Sequence, residues 1–242
     1  MGGLILSLFP GIGLLDRAFE EAGFCVVRGP DLLWGGDVDA FHPPPNRFDG
    51  VIGGPPCPSH SRYRHINLAQ GKQMAPDKTP SFARVVSEAR PTWWLMENAP
   101  DVPDLHLPGY ITFRTLLDNR WLGEEQERQR AFQFGTPDGR PLRIQTAALE
   151  HPSRETTCLA SEGRAGRILR KTEGGKQRAV YTPKRPWSRF CELQGLPGDF
   201  LEDAPLTNEG KYRVVGNGVP LPMGRAVAAA VVAAIQQRDL AA

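Results

Sequence analysis

Cysteine is scarce in this chain of 242 residues, with four in all: Cys25, Cys57, Cys158 and Cys191. They form no Cys-x-x-C pair, no zinc-ligand spacing and no secretory pattern, which argues against a disulfide scaffold and a zinc module and points to a reducing compartment. No apolar run approaches a membrane span, and the chain opens directly on a strand-like apolar run that leaves no room for a signal peptide. A cytoplasmic protein without membrane contact is therefore expected. Net charge is small too, a formal +2 from 29 basic and 27 acidic residues, so no overall basicity announces a nucleic-acid partner. Its distribution is uneven, however. Between Arg164 and Arg189 nine basic residues, Arg167, Arg170 and Lys171 among them, face a single acid, Glu173. Such a stretch is either an electrostatic footprint for phosphates or a flexible charged loop.

What the chain does have is one cysteine in unusual company. Gly53-Gly54-Pro55-Pro56-Cys57-Pro58 follows the short apolar run Phe48-Asp49-Gly50-Val51-Ile52. Glycines and prolines at that density end a strand and stiffen the turn that carries the thiol. Free cysteine is commonly a packed core residue, but this setting suits a thiol placed at a strand end for chemistry.

Upstream, Leu4–Phe9 has strand length and character, and Pro10-Gly11-Ile12-Gly13 follows it. Leu15, Ala18, Phe19 and Ala22 then fall at helical spacing, with Gly23 as a stop. A strand, glycine turn and helix in that order let a ligand approach backbone amides, as in dinucleotide sites. The usual third glycine is missing, so a plain tight turn stays equally open. Downstream, Thr92-Trp93-Trp94-Leu95-Met96-Glu97-Asn98 ends an apolar strand on a carboxylate, the place where open α/β sheets bind ligands. Gln126–Gly135 puts Arg128 and Arg130 two apart on an expected strand, so both face the same way. A solvated charged strand is the plain alternative for that pair.

In this order the residues resemble the DNA cytosine-C5 methyltransferase family. Phe9-Pro10-Gly11-Ile12-Gly13 resembles its S-adenosylmethionine motif, Pro56-Cys57 its nucleophile, Glu97-Asn98-Ala99 its Glu-Asn-Val motif and Gln126-x-Arg128-x-Arg130 its paired arginines. Leu193-Gln194-Gly195-Leu196-Pro197 and Gly216-Asn217-Gly218-Val219-Pro220 are similar to its two closing motifs. The likeness thins between Thr136 and Lys184. It implies a class I, Rossmann-like fold: α/β, with a doubly wound, mostly parallel sheet and a small target-recognition region. The expected divisions are 1–135 for catalysis and cofactor, 136–209 for target recognition, and 210–242 as a helical return to the large domain. Arg143–Thr146 and Arg178–Thr182 are expected as short strands, and 223–238 as a long helix.

The resemblance also implies roles. Cys57 would add to C6 of cytosine, Glu97 would serve N3, Arg130 would hold O2, and Arg128 would orient the base or the sulfur. Phe9 would lie against the adenine of S-adenosylmethionine, Asp37 would accept its amino group and Asp31 would bind the ribose. Gly11, Gly13, Pro55 and Asn217 would complete that pocket. Double-stranded DNA is the implied partner of what would be a monomer. Ser61, Arg62 and Arg64 in the long loop Pro58–Pro80 would contact it, as would Arg167, Arg170 and Lys171. The same chemistry on RNA, chiefly tRNA, and a catalytically silent DNA-binding relative are the alternatives. Four departures stand out: Pro58 where the family carries Gln, Leu14 where glycine is common, Glu192 for a basic residue, and a spacing from Asp31 to Asp37 too short for the usual intervening helix. The chain reads as a trimmed member.

Overall fold

A computed structural model describes residues 2–56, 76–164, 166–171 and 177–239. Six strands make one mixed sheet: β1 (Leu4–Leu8), β2 (Cys25–Arg28), β3 (Gly50–Gly53), β4 (Trp93–Asn98), β5 (Ile111–Asp118) and β6 (Gln129–Thr136), in the order β2-β1-β3-β4-β6-β5. The first four run parallel. Strand β6 runs antiparallel to both its neighbours, β4 and β5. This is the mostly parallel α/β sheet that the sequence predicts.

Helices cover both faces, as parallel strands require. On one face lie α1 (Leu14–Glu21) and the long C-terminal helix α5 (Leu221–Asp239), packed over Ile5, Ile52, Trp93, Leu95, Phe132 and Phe134. On the other lies α2 (Thr79–Ala89), whose Phe82, Val85 and Val86 meet Leu6, Leu8, Val51, Trp94 and Met96. Consecutive strand residues alternate faces, so Trp93 and Trp94 enter opposite layers. Each large ring lies across a glycine in the neighbouring strand. A Cβ at Gly50, the register partner of Trp93, would stand 2.2 Å from its ring, and one at Gly135, the partner of Trp94, 2.3 Å from the other.

A second cluster joins α1 to α3 (Trp187–Leu193) and α4 (Asn208–Asn217) through Leu14, Cys158, Phe190, Cys191, Tyr212 and Val215. Strands β7 (Gly166–Lys171) and β8 (Gln177–Thr182) form a separate antiparallel pair. Between β2 and β3 stand only two short 3-10 turns, Leu32–Trp34 and Val38–Ala40, in keeping with a trimmed connection.

Three expectations are corrected. Residues Arg143–Thr146 form no strand; Ile144 packs instead onto the main sheet's core beside Leu142. The loop expected to reach Pro80 ends earlier, because α2 begins at Thr79 with Pro80 in its first turn, where a missing N–H costs nothing. Finally, the stretch Asn208–Gln236 is long and apolar enough to meet the length and composition of a membrane span. Of the 18-residue window within it that meets the hydropathy of a span, 56% is buried within the protein, and Val227, Ala228 and Val231 pack onto the sheet.

Candidate functional site

The carboxyl ends of β1, β3 and β4 open on one cavity of about 580 Å³, a size that accepts a cofactor. Its floor is the turn after β1. Phe9, Gly11 and Gly13 adopt left-handed φ of 55°, 55° and 78°, alternating with ordinary residues. Two of the three being glycine relieves most of the steric cost. Nothing lies within 4 Å of where a Cβ of Gly11 would stand, so the backbone there is bare to the cavity. Gly11 is held from both sides: its N–H donates to Asp31 Oδ2 (2.8 Å), and its carbonyl accepts from Trp34 Nε1 (2.7 Å). Asp31 Oδ1 also accepts from Leu33 N (2.7 Å). The expected ribose ligand is thus first the residue that shapes the turn. Gly13 does not line the cavity; it starts α1.

Below the turn a buried network missed by sequence reasoning supports it. Asp16, fully buried on α1, accepts from Ser7 Oγ (2.5 Å) and from Arg28 Nε (3.0 Å). Burial pushes its carboxyl above the ordinary carboxylate range despite both partners. A serine inside Leu4–Phe9 and an aspartate on the apolar side of a helix were the available signals.

The far wall combines strands β4 and β6. Glu97 Oε1 pairs with Arg130 Nε at 2.8 Å, with side chains only 12% and 22% exposed, and both line the cavity. A Cβ on Gly54 would come within 2.9 Å of Glu97 Oε2, so glycine leaves that oxygen room. Asn98, one residue on, donates from Nδ2 to Pro55 O (2.9 Å) and accepts from Ala99 N (2.8 Å). It pins the turn that leads to Cys57. Pro55, Pro56, Phe9, Asp31, Asp37 and Asn217 all line the same space. Cys57, Ser61, Arg62 and Arg64 lie outside the described residues.

Arg128 is a correction. It precedes β6 and does not share the outlook of Arg130: it is 2% exposed, does not line the cavity, and donates to Cys158 O (2.9 Å), Gly216 O (3.0 Å) and Gly218 O (3.0 Å). Burial first, and then the charge of Arg130, push its guanidinium down to about 9, still cationic at neutral pH. Gln126 has the same kind of work, donating to Leu193 O (2.5 Å) and Gln194 Oε1 (3.0 Å) and accepting from Cys158 N (3.0 Å). Gln194 in turn donates to Val215 O (2.7 Å). Of Gln126-x-Arg128-x-Arg130, only the last residue reaches the cavity; the first two tie the closing motifs to the sheet.

The basic stretch is also less free than its composition suggests. Arg185 is 8% exposed and paired with Glu162 at 2.6 Å, and Arg189 is paired with Glu125 at 2.6 Å. Arg167, Arg170 and Lys171 sit on β7, whose side chains lie outside the described set.

A family model described as C-5 cytosine-specific DNA methylase matches residues 36–188. The chain is 29% identical over 166 residues to the type II methyltransferase M.NgoPII of Neisseria gonorrhoeae, covering 54% of this chain and 47% of that protein. It is 28% identical over 163 residues to M.FnuDI of Fusobacterium nucleatum, covering 54% and 46%. Each match thus spans about half of the relative's length. Among solved structures, the methyltransferase EhMeth of Entamoeba histolytica superposes with a TM-score of 0.65 at 11% identity, over 98% of this chain and 99% of that one. A DNMT2 variant of Spodoptera frugiperda does so with 0.63 at 12%, over 96% and 100%. At those identities the likeness is one of fold.

Proposed function

Because the chain belongs to the C-5 cytosine-specific DNA methylase family, we propose that it transfers a methyl group from S-adenosylmethionine to C5 of a flipped-out cytosine in duplex DNA. The observation that carries this reading is that the Glu97–Arg130 pair, the Pro55-Pro56 end that leads to Cys57 and the bare Gly11 turn all open on one cavity. The residues fit the cofactor. Phe9, Leu33 and Val38 offer apolar surface for an adenine, Asp31 and Asp37 offer acceptors for hydroxyl and amino donors, and the open backbone at Gly11 allows close approach. When bound, the sulfonium group supplies an electrophilic methyl.

The chain's own residues do the rest. A cytosine stacked in a duplex hides C6, so the base must leave the helix to meet Cys57. The Cys57 thiolate adds to C6, and the C5–C6 electron pair becomes available at C5. Glu97 serves N3 as general acid and makes that addition easier. Arg130 holds O2 and the charge that develops there. With the methyl on C5 and S-adenosylhomocysteine as the leaving group, the C5 proton passes to solvent water and the C5–H electron pair re-forms the C5–C6 double bond as the Cys57 sulfur leaves as thiolate. Arg128 takes no part in these steps; it holds the joint from which β6 starts. Residues 1–135 carry the chemistry, 136–209 the target contacts and 210–242 the return to the sheet. The enzyme acts as a cytoplasmic monomer, and the basic side chains of β7 meet phosphates.

The test is methyl transfer from labelled S-adenosylmethionine to duplex DNA, single-stranded DNA and tRNA in parallel, with a second duplex carrying 5-fluorocytosine. Label in duplex DNA and a denaturation-resistant complex through Cys57 are expected, since fluorine at C5 blocks the final elimination. Label confined to tRNA would change the substrate class. Turnover without any trapped complex would remove the covalent step.

A further inference from the structure

The segment from Gly29 to Asp49 forms the cavity wall that holds Asp31 and Asp37, yet it has no α-helix or strand of its own. Its position comes from α2. Three residues spaced by three, the N-cap Lys78 and, within the helix, Ser81 and Arg84, reach across to it: Lys78 to Asp39 and Asp37, Ser81 Oγ to Asp39 Oδ1 (2.5 Å), and Arg84 Nη2 to Val38 O (2.7 Å) and Phe41 O (3.0 Å). Such spacing places them along one side of the helix. Asp37 Oδ1 already accepts from Asp39 N (3.0 Å) and lies 3.6 Å from Lys78 Nζ, so one carboxylate serves both the turn and the lysine.

Lys78 differs from the other two in a second attachment. Its backbone N–H donates to Pro56 O (3.1 Å), and its side chain, 12% exposed, lines the cavity. One residue therefore holds two walls: the carboxylates at 37 and 39, and the proline that precedes Cys57. Resting on the proposed cofactor reading, we propose that Lys78 is a positioning residue that makes these two walls one unit, so that filling the cavity on the Asp37 side fixes Pro56 on the other. Without the ammonium group, Asp37 and Asp39 lose the cation they share and Asp39 keeps only Ser81 and the charge of Arg84, so the backbone bond to Pro56 persists but no longer ties that proline to the two carboxylates.

The experiment uses the full chain and the variants Lys78→Met, Lys78→Arg and Asp39→Asn. S-adenosylhomocysteine affinity is measured by calorimetry, and kcat at saturating S-adenosylmethionine on duplex DNA. Lys78→Met should bind the probe about tenfold more weakly, in the ordinary range of coupling between sites. Its kcat should also fall by about tenfold at saturation, a loss that a simple binding contact would not produce. Lys78→Arg should restore most of both. Asp39→Asn alone should weaken both readouts, and adding it to Lys78→Met should cost little more, because the two act as a pair. Should Lys78→Met fail to fold, the Asp39→Asn and Lys78→Arg measurements carry the test. A Lys78→Met enzyme that recovers full kcat once saturated, or that binds the probe as the parent does, overturns the coupling and leaves the cofactor reading intact. A parent protein that binds no S-adenosylhomocysteine overturns both.

Discussion

Two arginines two residues apart do opposite kinds of work, and the regions around them differ in the same way. Arg130 stands at an open cavity with Glu97 on its Nε and the Gln129 carbonyl on its Nη1, and the rest of its guanidinium faces a space that a ligand can enter. Arg128 stands in a buried joint where three carbonyls of the chain take its two terminal nitrogens. A buried charge costs several kcal/mol unless its donors are met; here both terminal nitrogens are met by the chain's own carbonyls and only Nε has no partner. The cavity wall, by contrast, keeps polar groups facing a space. Function collects where polar capacity is left over, and stability where it is consumed.

The largest expected effect separates chemistry from folding. Cys57→Ser should abolish methyl transfer while leaving S-adenosylhomocysteine affinity within about twofold, since the proposed role of the thiol is on the base alone. Calorimetry beside a methylation assay checks both halves, and substantial turnover by the variant would remove Cys57 from the mechanism.

Next comes the joint. Arg128→Met should lower unfolding free energy by on the order of 3 kcal/mol or more, because three buried carbonyls lose their donor. Chemical denaturation is the measurement. A variant as stable as the parent but inactive would return Arg128 to the site and erase its contrast with Arg130.

Glu97→Gln should reduce kcat by on the order of a hundredfold, the usual size of a general-acid effect, with little change in stability. A change confined to KM would contradict that role.

The smallest effect concerns the surface clasp between α1 and α5. Arg225 beside Glu21, at 2.6 Å, holds that carboxyl down at about 2 against an ordinary 4.5. A folded value below the unfolded one gives stability that is present above about pH 4.5 and lost as pH falls toward 2. Since both groups are more than a third exposed, Glu21→Gln should cost below about 1 kcal/mol at neutral pH. The difference from the parent should vanish in an acid titration near pH 2.

Much of the sheet was legible because burial writes itself as pattern. Leu4–Phe9, Val51-Ile52 and Trp93–Met96 are apolar runs of strand length between glycine and proline breaks, and they are strands β1, β3 and β4. Glu97 was legible as a carboxylate at a strand end, and Arg130 through the family resemblance, on an expected strand whose plain alternative was a solvated charged face. Arg128 was misread because spacing in sequence was taken for shared orientation on a strand that begins only at Gln129. The role of Lys78 left no local signal, because nothing near it in the sequence says that Asp39, far back in the chain, would meet it. Partnerships between polar residues distant in sequence leave no periodic trace, and Ser7 with Asp16 hid for the same reason.

The paired tryptophans allow something practical. Trp93 sits among Phe19, Phe24 and Phe134, and Trp94 among Phe82 and Tyr110, on opposite sides of one sheet. Adjacent chromophores therefore sample separate layers. With the remaining indoles replaced, emission from a variant keeping only Trp93 would follow the melting of the α1 and α5 side, and one keeping only Trp94 the α2 side, giving an optical account of which half of the molecule lets go first.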